Sequence, residues 1–235
     1  MATQRILCID IGGSNVKATV LDEEGNTLEA YKKLPTPLPS NPQNVLNTIS
    51  QLVADFSGYK KISVGFPGYV KRGVIITAPN LGTPDWANFD LKNKLSELLK
   101  QPCHVVNDAD MQGLGIAKGT GLEIVVTLGT GFGTAFLYDG KLLPHVELAH
   151  HPVGKEDLTY DEYIGEKAFK KVGPEKWNKR VQKVIGILKT VFNYDYLYIG
   201  GGNAKEITFK LESNITIVSN KDGIKGGPKL WAKNS

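Results

Sequence analysis

Two cysteines among 235 residues are too few for a disulfide framework, and neither Cys8 nor Cys103 belongs to a C-x-x-C pair. Both sit beside apolar residues or a proline, so they read as reduced structural thiols, and no zinc site is expected. No apolar run approaches the roughly 20 residues that a membrane-spanning helix requires. The N-terminus lacks a basic region followed by an apolar stretch and a cleavage site, so no secretory signal is read and a cytoplasmic location is expected. Low-complexity tracts and long linkers are absent too, so any two domains must join through the cleft between them. The composition that remains, 41% hydrophobic and 22% charged, is that of a soluble globular protein. A formal net charge of +4 and a sequence pI near 8.8 are too mild to indicate nucleic acid, so neither a nucleic acid nor a membrane is expected as a partner. The positive excess is local: Lys167, Lys170, Lys171, Lys176, Lys179, Arg180, Lys183 and Lys189 fall in one stretch. A solvated helix face is the plain reading of that stretch, and an anionic partner is the other.

The stretch around which the chain is organised is Asp10-Ile11-Gly12-Gly13-Ser14-Asn15-Val16-Lys17, arriving after the apolar run Ile6-Leu7-Cys8-Ile9. The run predicts a buried strand, and two adjacent glycines allow a tight turn whose N–H groups can face an anion. An Asp at the strand end repels a bare phosphate, so the combination points to a metal-phosphate site. Residues 18–21 continue as a strand, 22–26 turn, and 27–31 return as another strand. The loop therefore joins two strands, unlike dinucleotide-binding and P-loop motifs, whose glycines open a helix. Val45, Leu46, Ile49, Leu52, Val53 and Phe56 recur at helical spacing, as do Leu91, Leu95, Leu98 and Leu99, each set predicted to line one helix face. Between them, residues 62–66 read as a strand ending at Pro67-Gly68. The strand at 104–106 stops at Asn107-Asp108-Ala109-Asp110, a polar cluster where open α/β sheets place ligands. Asp108 is the foremost candidate there, while Asp110 reads equally as a helix N-cap.

The second half repeats the first. A strand at 124–128, the loop Gly129-Thr130-Gly131-Phe132-Gly133-Thr134 and a strand at 135–138 follow the same plan, with Thr127 where the first half has Asp10. Two such hairpins facing across a cleft would grip one phosphate chain from both sides. Glu147 and His150 lie close together without helical metal-ligand spacing, so a sugar or hydroxyl contact is preferred over a metal. A basic helix is predicted over 161–172 and, after Gly173-Pro174, a longer one carrying Trp177, Val181, Val184, Ile185, Leu188 and Val191 inward. A strand at 196–199 delivers a third glycine cluster, Gly200-Gly201-Gly202-Asn203-Ala204-Lys205, and the last strand is expected at 215–218.

These motifs resemble the sugar kinases of the ROK type within the actin-like ATPase superfamily, over essentially the whole chain. Asp10-Ile11-Gly12-Gly13-Ser14 is similar to the first phosphate motif, Leu128-Gly129-Thr130-Gly131-Phe132-Gly133 to the second, and Gly200-Gly201-Gly202-Asn203 to the nucleoside-side motif. Asp161-Glu162-Tyr163-Ile164-Gly165, Lys176-Trp177-Asn178 and the run Tyr198 to Lys205 resemble the polyphosphate glucokinase branch. The resemblance implies an α/β, actin-like (ribonuclease H-like) duplicated fold: a smaller α/β domain over 1–106 and a larger one over 107–235, flanking a cleft. It implies phosphoryl transfer from polyphosphate, or also ATP, to the 6-hydroxyl of glucose, by a homodimer. Asp108 is implied as the general base, and Asn80, Asn107, Glu147, His150 and Glu162 as sugar ligands. Gly12, Gly13, Ser14, Lys17, Thr130, Gly131 and Gly133 would hold phosphates, Asp10 would order Mg²⁺ through water, and Gly201, Gly202, Asn203 and Lys205 would flank the nucleoside or polyphosphate. Three departures from the wider family stand out. The cysteine-rich zinc motif is missing, Ala149 stands where Gly is usual before the histidine, and a first strand near residue 5 leaves no room for the regulators' helix-turn-helix. The competing readings are an ATP-dependent kinase for glucose or another hexose, and a non-catalytic sugar sensor.

Overall fold

The computed structural model describes residues 3–82, 84–153 and 157–232, with the backbone alone for 220–222. The chain divides into two compact units, one formed by Met1–Gly115 with Asp222–Ser235, the other by Ile116–Lys221.

The first unit is built on β1 (Ile6–Ile11), β2 (Asn15–Leu21), β3 (Thr27–Pro35), β4 (Lys61–Phe66) and β8 (Cys103–Asn107). They form one sheet in the order β3-β2-β1-β4-β8. The first three make an antiparallel meander, and β4 and β8 run parallel to β1. Alternation along β1 assigns its two faces. Leu7, Ile9 and Ile11 pack with Val45, Ile49 and Leu52 of α1 (Pro42–Val53) and with Leu91 and Leu95 of α2 (Leu91–Leu99). Ile6 and Cys8 point the other way, onto Met111 of α3 (Asp108–Ile116) and Ile224 of the C-terminal run of 3₁₀ turns. Each such aliphatic side chain removed from water contributes on the order of 1.5–3 kcal/mol. Leu98, expected on the buried face of α2, is 43% exposed, because α2 is only nine residues long and its inward face is filled by Leu91 and Leu95. A small sheet of β5 (Val70–Lys71), β6 (Val74–Ile75) and β7 (Phe89–Asp90) completes the unit.

The second unit repeats this plan. Its strands are β9 (Leu122–Leu128), β10 (Phe132–Tyr138), β11 (Lys141–Leu142), β12 (Tyr196–Gly200) and β13 (Ile215–Ile217), ordered β11-β10-β9-β12-β13. Again a meander is followed by two strands parallel to its first. One face is covered by α4 (Tyr160–Ile164) and α5 (Glu166–Phe192), the latter broken at Gly173, where the backbone leaves the helical region. That break is the one expected from Gly173-Pro174. Trp177, Val181, Val184, Ile185 and Leu188 of α5 pack on Ile124, Val126, Leu128, Leu197 and Ile199. Trp177 is buried, and its indole donates to the Ile164 carbonyl at 2.8 Å. Asn178 donates to the Glu206 carbonyl and accepts from the Thr208 amide, both at 2.9 Å, so this pair ties α5 to the segment after β12.

The division expected at 106/107 differs from the observed one. Helix α3 packs on β1 and β4 through Met111, and the chain returns at 222 to cover the same sheet face, so both belong to the first unit. Among the described residues, no helix is long and apolar enough to cross a membrane. Both cysteines are buried and unpaired. Burial pushes both thiols up, that of Cys103 to about 12, the Lys92 charge opposing it only in part, which keeps them protonated and unreactive.

Candidate active site

Three parallel strands of the first unit, β1, β4 and β8, end at one edge, which is where an open α/β sheet offers a ligand its loops. Asp10 sits one residue before the end of β1, on the same face as Ile6 and Cys8 by alternation, the face that α3 covers. It pairs across the hairpin with Lys17, whose ammonium lies 3.1 Å from its carboxylate. Along the parallel register Asp10 stands opposite Gly65. A Cβ on Gly65 would lie 2.7 Å from the Met111 methyl and 3.3 Å from the Asp108 Cα, so glycine lets the start of α3 close onto β4. Asp10, Lys17 and Asp108 are gathered in this way. Burial opposes the Lys17 charge, but Asp10, Tyr31 and Asp108 outweigh it and hold the ammonium above its ordinary value.

The turn between β1 and β2 is braced from several sides. The Gly12 amide donates to the Asn15 carbonyl at 2.9 Å, and the Thr36 hydroxyl donates to the Gly12 carbonyl at 2.6 Å. Among the described residues no hydrogen bond engages the N–H groups of Gly13 or Ser14, both exposed, so the two donors face outward beside Asp10. Asn80 adjoins them, its backbone oxygen 3.4 Å from where a Gly13 Cβ would be.

Asn107 ends β8, and its side chain is committed within the fold. Its oxygen accepts from the amides of Ala109 at 2.8 Å and Asp110 at 3.4 Å, which caps α3, and its Nδ2 donates to the Gly68 carbonyl at 3.0 Å. Asp108 accepts from the same Ala109 amide at 2.8 Å with one oxygen.

The second unit gathers the other expected residues. The loop Gly129 to Gly133 joins β9 to β10, as expected, with the Gly129 amide donating to the Gly131 carbonyl at 3.1 Å. Asn203 donates from its backbone to Leu128 at 2.9 Å and from its side chain to Gly129 at 3.4 Å, which docks the third glycine cluster against the second. Gly201 makes that docking feasible: its φ is +94°, and a Cβ there would lie 2.0 Å from the Leu128 carbonyl oxygen. Gly202 is exposed, and Lys205 reaches outward to Glu206 at 3.8 Å. On β10 the Thr134 hydroxyl donates to the Val146 carbonyl at 3.0 Å, which fixes the segment leading to Glu147. Glu147 accepts from His145 at 3.2 Å and lies 3.8 Å from His150. The His145 hydrogen bond, with the charges of His145 and His150, outweighs burial and keeps this carboxyl below its ordinary value. His150 is exposed.

Glu162 is held differently from the expectation. With Thr159 it closes a capping box: its carboxylate accepts from the Thr159 amide at 2.9 Å and hydroxyl at 3.0 Å, while its own amide donates to the Thr159 hydroxyl at 3.3 Å. The pattern Thr-x-x-Glu at 159–162 carried that signal. Two further residues escaped sequence reasoning, His145, two positions before Glu147, and Asp161, whose carboxylate binds the Phe132 amide at 2.5 Å. The basic stretch divides between ion pairs and an aromatic platform. Lys170, Lys179 and Lys189 pair with Glu166, Glu175 and Glu212, whereas Arg180 and Lys183 lie 4.5 and 5.6 Å over the Tyr163 ring.

Two units with the same strand order, each with a glycine hairpin between its first two strands, define the actin-like ATPase fold of the sugar kinases. Solved structures agree: an inorganic polyphosphate/ATP-glucomannokinase from Arthrobacter sp. strain KM superposes with a TM-score of 0.84 at 29% identity, over 97% of this chain and 98% of that one. A ROK family glucokinase from Streptomyces griseus, solved with glucose and AMPPNP, shares the fold at 0.76 and 20% identity, over 96% and 98% of the two chains. The ROK family pattern matches residues 6–154, and the chain belongs to that family. The polyphosphate glucokinase of Mycobacterium leprae is 32% identical over 206 residues, which are 84% of this chain and 63% of that protein. That of Mycobacterium tuberculosis H37Rv is 32% identical over 206 residues, 84% of this chain and 77% of its own.

Proposed function

We propose that the chain is a sugar kinase that moves a phosphoryl group from inorganic polyphosphate, with ATP as a second donor, to the 6-hydroxyl of glucose. The observation that carries the reading is the cluster at the edge of the first sheet: Asp108 at the start of α3, within the field of a Lys17 that pairs Asp10, beside the outward amides of Gly13 and Ser14. In-line phosphoryl transfer asks little covalent chemistry of a protein; it needs an oriented hydroxyl, an acceptor for its proton and donors for the phosphate oxygens. Asp108 takes the proton, late, once the hydroxyl has become acidic. Glu147, kept ionised by its two histidines, accepts from a sugar hydroxyl, and His150 and Asn80 supply further polar contacts. Asn107 acts through α3, which it caps, and Glu162 through α4, rather than by direct contact with the sugar. Lys17 and the loops at Gly12 to Ser14 and Thr130 to Gly133 bind donor phosphates, with Gly201, Gly202, Asn203 and Lys205 beside the remainder of the donor.

The residues fit a magnesium ion held mainly by the donor's own phosphates. Among the described residues no three His, Cys, Asp or Glu side chains converge into a metal cluster, and Asp10 would be the carboxylate that holds such an ion, through water. When bound, Mg²⁺ neutralises phosphate charge. The polyphosphate preference draws support from the names of the mycobacterial and Arthrobacter proteins and from the seven lysines of α5, all of which stand exposed on the helix. We further propose a cytoplasmic homodimer, which cell fractionation and light scattering test. The decisive assay mixes the protein with glucose, Mg²⁺ and either ATP or long-chain polyphosphate and follows glucose 6-phosphate. Product with polyphosphate is expected; no product with either donor, on glucose or other hexoses, would favour a sugar sensor.

A further inference from the structure

We propose that Asp161 is a positioning residue that locks the Gly129–Gly133 loop in its phosphate-binding form and so sets affinity for the phosphoryl donor, not for the sugar. The inference rests on reading that loop as part of the donor site. Three glycines in five residues make the loop costly to order, on the order of 1 kcal/mol or more per residue fixed. Three contacts from outside the loop restrain it. The Glu166 amide donates to the Gly129 carbonyl at 2.9 Å, the Asn203 side chain donates to the same carbonyl at 3.4 Å, and Asp161 Oδ1 accepts the Phe132 amide at 2.5 Å. The first two hold the entry of the loop and the Gly129 amide ties it to the Gly131 carbonyl at 3.1 Å; among the described residues Asp161 is the side chain that holds its exit. Its carboxylate lies flat on Gly131: a Cβ there would stand 2.7 Å from Oδ1 and 3.1 Å from both Cγ and Oδ2, so only a hydrogen fits between them. Asp161 is itself fixed, because it lies in the first turn of α4, whose start is pinned by the Thr159–Glu162 capping box, and its carbonyl accepts the Gly165 amide at 2.9 Å.

A carboxylate beside a phosphate loop repels the ligand, so its presence needs a compensating role. Taking up the Phe132 N–H orders the loop before the donor arrives, leaving the amides of Thr130 and Gly131, which no described hydrogen bond engages, to meet phosphate oxygens. Without the clamp, donor binding has to order the loop itself. Asp161→Ala is therefore expected to raise the donor KM about tenfold while leaving the glucose KM within about twofold. Asp161→Asn keeps an oxygen acceptor for Phe132 and removes the charge, so its donor KM is expected to stay within about threefold of the parent. Glucose and donor KM would be measured for all three proteins, with glucose binding followed separately by calorimetry. A parent protein inactive with every donor removes the reading of the loop as a donor site. An active parent with an unchanged donor KM in Asp161→Ala, a parallel rise in both KM values, or an Asn variant as impaired as the Ala variant would each overturn the clamp while leaving the kinase reading intact. Should Asp161→Ala fail to fold, Gly131→Ala, whose methyl displaces the same carboxylate, is expected to show the same selective rise, and an unaltered donor KM there overturns the proposal.

Discussion

Asn107 and Asp108 are neighbours in sequence, and their alanine variants are expected to fail in opposite ways. Removing the Asp108 carboxylate leaves the start of α3 capped, because the Ala109 amide that it binds at 2.8 Å is bound at 2.8 Å by Asn107 as well. The loss is then a favourable charge in a helix's first turn, about 0.5–1 kcal/mol. Removing the Asn107 amide leaves the Ala109 amide to Asp108 alone and takes the Asn107 acceptor from the Asp110 amide, about 1 kcal/mol, and leaves the Gly68 carbonyl without its Asn107 donor in a buried setting, about 1 kcal/mol or more. Together these come to about 2–3 kcal/mol, a fall in thermal midpoint of roughly 5–10 °C for a chain of this size. Activity reverses the order. Asp108→Ala is expected to lower kcat by about 10²–10⁴, the usual contribution of a general base, whereas the folded fraction of Asn107→Ala keeps kcat within about tenfold. Thermal melts and glucose 6-phosphate formation on the two variants side by side make the test. An Asp108→Ala protein with near-parent kcat refutes the base assignment. An Asn107→Ala protein with an unchanged midpoint and a raised glucose KM refutes the capping account in favour of direct sugar contact.

Three further outcomes are expected. Burial, then Lys92 and Lys61, hold His104 below its ordinary 6.5, so the fold favours the neutral ring packed edge-on to Trp231 at 4.1 Å. The unfolded chain then binds more protons near and below that pH; the contribution is present above 6.5 and lost as pH falls through the folded value. Melts from about pH 7.5 to 5 should show a decline that His104→Asn flattens, and equal slopes would refute the assignment. Replacing Lys170, Lys171, Lys179 and Arg180 by glutamine should raise the KM for long polyphosphate and spare glucose, the difference shrinking as salt is added; unchanged polyphosphate kinetics would end the case for a basic track. Gly201→Ala places a methyl 2.0 Å from a backbone carbonyl with a positive φ and no flexible side chain to yield, so it should cost about 4 kcal/mol or more and show as lost cooperative melting.

What could be read from the residues, and what could not, divides along physical lines. The two glycine hairpins, the strands that flank them and the break at Gly173 were legible because they depend on local chemistry: β-branched runs, φ freedom and a missing N–H. The repetition of the plan at Thr127 to Thr134 was legible for the same reason, and it predicted a duplicated fold that the two matching strand orders bear out. Contacts distant in sequence were not. Nothing local says that Asn107 spends both ends of its amide on α3 and Gly68, that Asp161 reaches back 29 residues to Phe132, or that residues 222–232 return to the first sheet. Glu162 is the instructive exception, since the capping box it closes with Thr159 is a local signal, written in four consecutive residues.

That return has a consequence for how the molecule is made. The second unit is continuous in sequence, so every strand and helix it needs has emerged once residue 221 is synthesised. The first unit waits: Ser63, buried in its sheet, donates to the Gly227 carbonyl at 2.7 Å and accepts from the Trp231 indole at 2.9 Å, and Ile224 closes the small core around Cys8 and Met111. The first unit is therefore completed only after the second. A stalled or clipped chain ending before Gly223 would carry a complete second unit and a first unit with one sheet face uncovered, an apolar surface of the kind that chaperones and aggregation both recognise.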